Sequence, residues 1–362
     1  MPDKQRVIEQ ARRILGSYER VAEEVQHIAG SASVAAAPDF GALEGAFIPR
    51  PPAGQAGAGT ALESAIAAER ARTIAEGLEA MKKIDTGHEQ DITPQQQTGL
   101  EAIVLLTGRP AILVQNDDFL EPPKKWAALK DVRESIKAVL RRVGRIDVSG
   151  SPNFEWLGTG FLAGNDVVLT NRHVAVEFAR LGAQGGWTFR PGMGASVDLR
   201  AELGAEDTLS FKVTDILGIH EEHDLAVLKV EQTSGAETLP DPLPIAAAAP
   251  ASLDKRQVYV IGYPAWDGRR NDPEPMKRIF SEIYNVKRLQ PGELAGEGTD
   301  LLEFFHDCST LGGNSGSPVV DLETHRILGL HFGGRFLQKN HAVPLWKLQT
   351  DALVKGARLN FV

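Results

Sequence analysis

From Ile146 onward the chain runs as short apolar stretches cut by Gly, Asp and Asn, and this pattern constrains its fold more than any other feature. Residues 160–162, 166–169, 225–230, 258–261 and 327–332 are such stretches. Many short strands separated by turn signals predict an all-β barrel or sandwich. The part before Ile146 is patterned differently. Val7, Ile8, Ala11, Ile14, Leu15, Tyr18, Val21, Val25 and Ile28 recur at helical spacing and predict one helix over residues 3–28. A Gly, Ala and Pro-rich stretch of about residues 30–60 reads as a linker. A second helix is expected over residues 61–82. A β-hairpin follows, with strands at 102–106 and 111–115 and a turn at Thr107-Gly108-Arg109-Pro110. A third helix over residues 126–143 and a closing helix over residues 345–359 complete the outline.

At 362 residues the chain has room for two units. The division expected is residues 1–144, mostly helical with a hairpin, and residues 145–362, mainly β. Hydrophobic content of 42% and charged content of 24% are ordinary for a globular protein. A net charge of -9 argues against a nucleic-acid partner, whose binding surface would be basic. A single cysteine, Cys308, excludes an intramolecular disulfide. The N-terminus mixes charged and polar residues without the apolar core of a secretory signal, and no stretch is long enough to span a bilayer. The expectation is a cytoplasmic chain with no membrane partner.

Chemistry concentrates in Gly312-Gly313-Asn314-Ser315-Gly316-Ser317-Pro318. Glycines on both sides of a serine allow backbone angles that side chains forbid, and such a turn can aim N–H groups at one point. A serine hydroxyl needs a base and an orienting acid to become a nucleophile. His173, in Leu169-Thr170-Asn171-Arg172-His173-Val174, follows an apolar run that reads as a strand. Asp224 begins the alternating run Asp224-Leu225-Ala226-Val227-Leu228-Lys229-Val230. The order His, Asp, Ser is one of three in which this triad occurs, and the one used on double β-barrels. The neighbouring His220, Glu221, Glu222 and His223 could, taken alone, suggest a metal site. The reading adopted is a solvated charged loop, with no metal and no cofactor.

On these residues the chain resembles a trypsin-like (chymotrypsin-fold) serine peptidase of the bacterial glutamyl endopeptidase type. The matching pieces are Thr159-Gly160-Phe161, Thr170-Asn171-Arg172-His173, Asp224-Leu225-Ala226-Val227, Gly262-Tyr263-Pro264, Ser309-Thr310 through Pro318, and Gly329-Leu330-His331-Phe332-Gly333-Gly334. They stand in the family's order and cover about residues 145–355. The resemblance implies a double six-stranded β-barrel acting on protein or peptide substrates. Its catalytic residues would be His173, Asp224 and Ser315, with an oxyanion hole at the Gly313 and Ser315 N–H groups. It also implies that Thr310 and His331 contact a substrate carboxylate, hence a preference for an acidic residue before the scissile bond (P1). Asn314 stands where the pancreatic enzymes carry an aspartate that pairs with a newly released N-terminus. Arg145-Ile146 is therefore read as the start of the first strand and not as an activation cleavage point.

Two readings of different class follow. In the first, the chain is an intracellular serine endopeptidase that residues 1–144 regulate or dock to a partner protein. In the second, a peptidase fold has lost activity and serves as a binding or scaffold module. Retention of His173, Asp224 and Ser315 together favours the first. Esterase activity would use the same chemistry.

Overall fold

The computed structural model describes residues 4–28, 60–183, 185–265, 283–298, 302–334 and 339–362. The expected linker of about residues 30–60 lies almost wholly outside them. The chain divides into two compact units. Residues 1–110 and 122–130 contribute to the first; residues 111–121, 131–267 and 284–362 form the second.

The first unit is helical. Its apolar periodicity yields two helices, α1 (Lys4–Leu15) and α2 (Tyr18–Ile28), in place of the single one expected. Gly16 takes φ +82 between them, a left-handed conformation that ends α1, and the Ser17 carbonyl accepts the Val21 N–H to open α2. Helix α3 (Thr60–Asp85) meets α4 (Pro94–Ile103) at a pair of glycines. A Cβ on Gly77 would overlap the Gly99 carbonyl, and a Cβ on Gly99 would overlap the backbone of Gly77 and Thr73. Thr93 caps α4 in a reciprocal capping box with Gln96, and Pro94 sits in the first turn.

These signals overturn the hairpin expected over residues 102–115. Ala102 and Ile103 end α4, and Val104–Gly108 continue as a π-helical turn. A short buried apolar run has no period that separates strand from helix, and the cap at Thr93 decides for helix. Only its second half forms a strand, β1 (Ile112–Gln115), and that strand packs in the second unit. Its partner is β2 (Asp118–Phe119), across a two-residue turn at Asn116 (φ 56) and Asp117 (φ 58). Both turn residues are left-handed, as hairpin turns matched to strand twist require. Strand β1 also pairs with a barrel strand, Ile112 opposite Leu289. The third helix is shorter than expected, α5 (Arg133–Leu140).

Two closed antiparallel barrels of six strands each then follow, the trypsin-like fold. The first contains β3 (Val143–Ser149), β4 (Trp156–Gly164) and β5 (Val167–Thr170). After β5 come helix α6 (Arg172–Phe178) and a small hairpin, β6 (Ala179–Leu181) with β7 (Trp187–Phe189). Strands β8 (Gly194–Asp198), β9 (Ser210–Ile219) and β10 (Ala226–Val230) close the barrel in the order β10-β5-β4-β3-β8-β9. Ile146, Leu162, Val168, Phe178, Val197, Phe211 and Leu228 fill it.

A minor hairpin, β11 (Thr233–Ser234) and β12 (Glu237–Thr238), leads to the second barrel. Its strands are β13 (Asp254–Gly262), β14 (Arg288–Glu297), β15 (Phe304–His306), β16 (Pro318–Asp321), β17 (Ile327–Gly334) and β18 (Asn340–Pro344). The order is β13-β16-β17-β18-β15-β14, closed by β13 on β14. Val258, Val260, Leu294, Phe304, Val319 and Leu328 form its core. The chain ends in a single turn at Leu345–Lys347 and helix α7 (Ala352–Gly356), so the expected closing helix is broken in two. Arg145 and Ile146 lie inside β3, opposite Thr159 and Gly158, and Ile146 is buried.

Candidate active site

Strands β5 and β10 pair antiparallel with Thr170 opposite Ala226. Counting outward from that pair brings the residues after β5 against those before β10, and so His173 against Asp224. The contact is direct. His173 Nδ1 lies 2.6 Å from Asp224 Oδ2, and the His173 backbone N–H donates to Asp224 Oδ1 at 3.0 Å. The Asn171 amide donates to the Asp224 carbonyl at 2.8 Å, which anchors the acid from its other end. His173 sits in the first turn of α6 with its side chain half exposed. Two bonds to one carboxylate fix the imidazole's plane and place its hydrogen on Nδ1, leaving Nε2 as the basic nitrogen.

Ser315 lies in the loop between β15 and β16, and its backbone ties that loop to the first barrel. The Thr159 N–H donates to the Ser315 carbonyl at 2.8 Å, and Thr159 Oγ1 donates to the Gly313 carbonyl at 2.8 Å. Gly158 is wedged between the Ser315 carbonyl and the side chain of Val174, the neighbour of His173. Gly316 takes φ +92, and a Cβ there would overlap the Thr159 carbonyl; Gly313 takes φ +84 against the Tyr263 carbonyl and the Trp156 ring. Neither position admits a side chain.

Within the loop the Asn314, Gly316 and Ser317 N–H groups donate to the carbonyls of Leu311, His331 and Asn314. Among the described residues no backbone carbonyl accepts from Gly313 or Ser315 N–H. Asn314 is fully buried; its Oδ1 accepts from Gln290 Nε2 at 2.9 Å and its Nδ2 donates to the Leu311 carbonyl. The side chain at the pancreatic aspartate's position is thus satisfied by neutral partners.

The two residues expected to read a substrate carboxylate differ in setting. Thr310 is half-buried in the Ser315 loop. His331, on β17, is buried, and its backbone bonds the loop twice: its carbonyl accepts from Gly316 and its N–H donates to Ser317. Its Nδ1 lies 3.1 Å from Nε2 of His306, which is also buried. Burial pushes the His306 imidazole down to about 3, and burial with neighbouring His306 and His173 holds His331 well below the usual histidine range. Both rings are therefore neutral near pH 7.

The loop before Asp224 departs from the expected solvated form. Glu221 and Glu222 are exposed, but His220 turns inward to Asp351 Oδ2 at 3.3 Å. Among the described residues no His, Cys, Asp or Glu cluster is arranged to hold a metal ion. The sequence reading placed His220 in a solvated charged loop, and it assigned no role to Thr159, Asn171 or His306. Thr159 and Asn171 stood inside quoted motifs; His306 has no local signal, because its partner is on another strand.

Residues 158–330 match the family model of the trypsin-like peptidase domain. A probable serine protease of Lysobacter enzymogenes is 27% identical over 336 residues, covering 80% of this chain and 84% of that protein. A glutamyl endopeptidase of Staphylococcus epidermidis is 26% identical over 183 residues, 49% of this chain and 54% of its own length. The chain thus spans about half of that relative. Among solved structures, a protease from M. tuberculosis in its active form aligns with 21% identity and a TM-score of 0.40, covering 62% of this chain and 84% of that one. Residues 158–330 thus carry a trypsin-like peptidase domain, which together with these protease relatives indicates a serine endopeptidase, a hydrolase whose substrates are proteins or peptides.

Proposed function

We propose that Ser315 is the nucleophile of this peptidase, His173 its general base and Asp224 the acid that orients it. The observation that carries the reading is the 2.6 Å bond from His173 to Asp224, set beside a serine loop in which the Gly313 and Ser315 N–H groups meet no backbone carbonyl among the described residues. Ser315 Oγ attacks the scissile carbonyl carbon as His173 Nε2 takes its proton. Negative charge on the carbonyl oxygen is met by the Gly313 and Ser315 N–H groups. Asp224 stabilises the imidazolium, which then protonates the leaving amine, and water hydrolyses the acyl-enzyme by the same route.

We read the specificity as acidic at P1. A neutral His331 has one hydrogen to give. If His306 donates from Nε2 to His331 Nδ1, then His331 keeps its own hydrogen on Nε2 for a carboxylate, with the Thr310 hydroxyl as second donor. The likeness to a glutamyl endopeptidase points the same way. Residues 1–144 are read as restraining the peptidase or docking a partner protein, and the buried, unbridged Cys308 suits a cytoplasmic setting.

A peptide library tests the specificity. Peptides with Glu or Asp at P1 should be cut in preference to their Gln or Asn counterparts, and Ser315→Ala should cut none. Best cleavage after Arg, Lys or aromatic residues would refute the acidic pocket, and undiminished cleavage by the Ser315→Ala protein would refute the nucleophile.

A further inference from the structure

His220 touches both the turn that delivers Asp224 and the helix that ends the chain. Its Nδ1 accepts the Glu222 N–H at 3.1 Å and the His223 N–H at 3.0 Å. Its Nε2 lies 3.3 Å from Asp351 Oδ2. One neutral tautomer satisfies all three contacts: the lone pair on Nδ1 accepts from the turn, and the hydrogen on Nε2 is donated to Asp351.

Asp351 is itself fixed. Its Oδ1 accepts the Leu353 and Val354 N–H groups at 2.9 and 3.1 Å, the N-cap of α7. Burial raises its carboxyl, but the Val354 N–H and the His220 ring outweigh that and hold it below the usual range.

The rest of the turn is closed by backbone bonds. The Leu225 N–H donates to the His223 carbonyl at 2.8 Å, and the His220 N–H to the Leu225 carbonyl at 2.9 Å. The Arg172 guanidinium donates to the Glu221 carbonyl, and the His223 ring lies 4.5 Å from that of His220. Among the described residues, the side-chain atom that accepts from the turn's own N–H groups is His220 Nδ1. It does what an Asn or Asp oxygen does in an Asx-turn, which is to take N–H groups two and three residues on.

We propose that His220 is a positioning residue for Asp224. By accepting two N–H groups through Nδ1 it fixes the turn that sets the Asp224 carboxylate against His173, and Asp351 holds it in the tautomer able to accept. The inference rests on the reading of His173, Asp224 and Ser315 as the reacting groups.

The two ring nitrogens can be separated by substitution in the full-length chain. His220→Asn keeps an acceptor near the Nδ1 position and loses Asp351. His220→Gln keeps a donor toward Asp351 and loses the acceptor. Asp351→Asn keeps the helix cap but turns an amide N–H₂ toward Nε2, which drives the ring hydrogen onto Nδ1.

Two readouts are used: the acylation rate of Ser315 by a fluorophosphonate, followed by intact mass, and the low-field proton resonance of the His173 Nδ1–H bond. Acylation should slow roughly 10- to 100-fold in His220→Gln and in Asp351→Asn, and stay within about threefold of the unsubstituted chain in His220→Asn. The resonance should survive in His220→Asn and be lost in the other two. Equal rates and an intact resonance in all three would overturn the proposal, as would a His220→Asn protein as slow as His220→Gln. If His220→Gln does not fold, Asp351→Asn decides alone, and an unchanged rate there overturns it. Failure of the unsubstituted chain to acylate would instead remove the triad reading, and the resonance would still decide His220.

Discussion

His306 and His331 form a buried neutral pair whose cost is set by acid. His306 titrates at about 3 in the folded chain, against about 6.5 for an ordinary imidazole. Between those values the unfolded chain binds one proton more than the folded chain, so stability rises with pH across the window. The contribution is complete above about pH 6.5 and is lost as pH falls towards 3, with a slope of about 1.4 kcal/mol per pH unit for one such group. His331 shifts in the same direction and steepens the loss. Urea unfolding at pH 7 and pH 4.5 should show a marked fall in midpoint, and His306→Gln, which keeps a donor and an acceptor without titrating, should flatten it. An identical pH slope in the two proteins would show that His306 is not the group responsible. His331 was legible because it stands in a motif, and its burial was not, because that depends on the facing strand.

The hairpin of β1 and β2 belongs to the barrel unit although it precedes the expected boundary at residue 144. Strand β1 lies on β14, the Arg288 guanidinium donates to the Ala111 carbonyl, and the Asp117 N–H donates to Glu202. Glu202 in turn meets the buried Lys287 ammonium at 3.1 Å, whose other hydrogens go to the Leu140 and Leu199 carbonyls. Burial lowers the Lys287 pKa while Glu202 opposes the shift, so the pair is held by several partners at once. Breaking such a buried network at one member typically costs about 3–5 kcal/mol. Deleting residues 1–110 should therefore leave a cooperative thermal transition, whereas deleting residues 1–121 should lower its midpoint sharply or abolish it. Equal midpoints for the two truncations would remove the hairpin from the barrel's architecture. With the shorter truncation in hand, an increased small-peptide rate would indicate restraint by the helices, and an unchanged rate would indicate docking. The sequence placed the turn at Thr107–Pro110 because Gly and Pro are the louder signal; the actual turn is Asn116-Asp117, where two left-handed residues do the same work.

Across the whole molecule, the legible parts were those written in contiguous residues. The glycine frame of Ser315, the strand leading to His173 and the strand leaving Asp224 each occupy a few neighbouring positions, and their order along the chain selected the double barrel. Contacts between distant residues were not legible: Thr159 on the Ser315 carbonyl, Asn314 on Gln290, His220 on Asp351. Each joins residues 24 or more positions apart, and such pairings are set by barrel closure, not by local period. In the proposed mechanism these contacts converge on one reactive serine, Ser315. The most direct measurement is exposure of the full-length chain to a fluorophosphonate, with the modified residue located by peptide mass spectrometry. A single adduct should form on Ser315, be absent from the Ser315→Ala protein and form far more slowly in His173→Ala. No adduct on Ser315, or equal labelling with His173 removed, would contradict it.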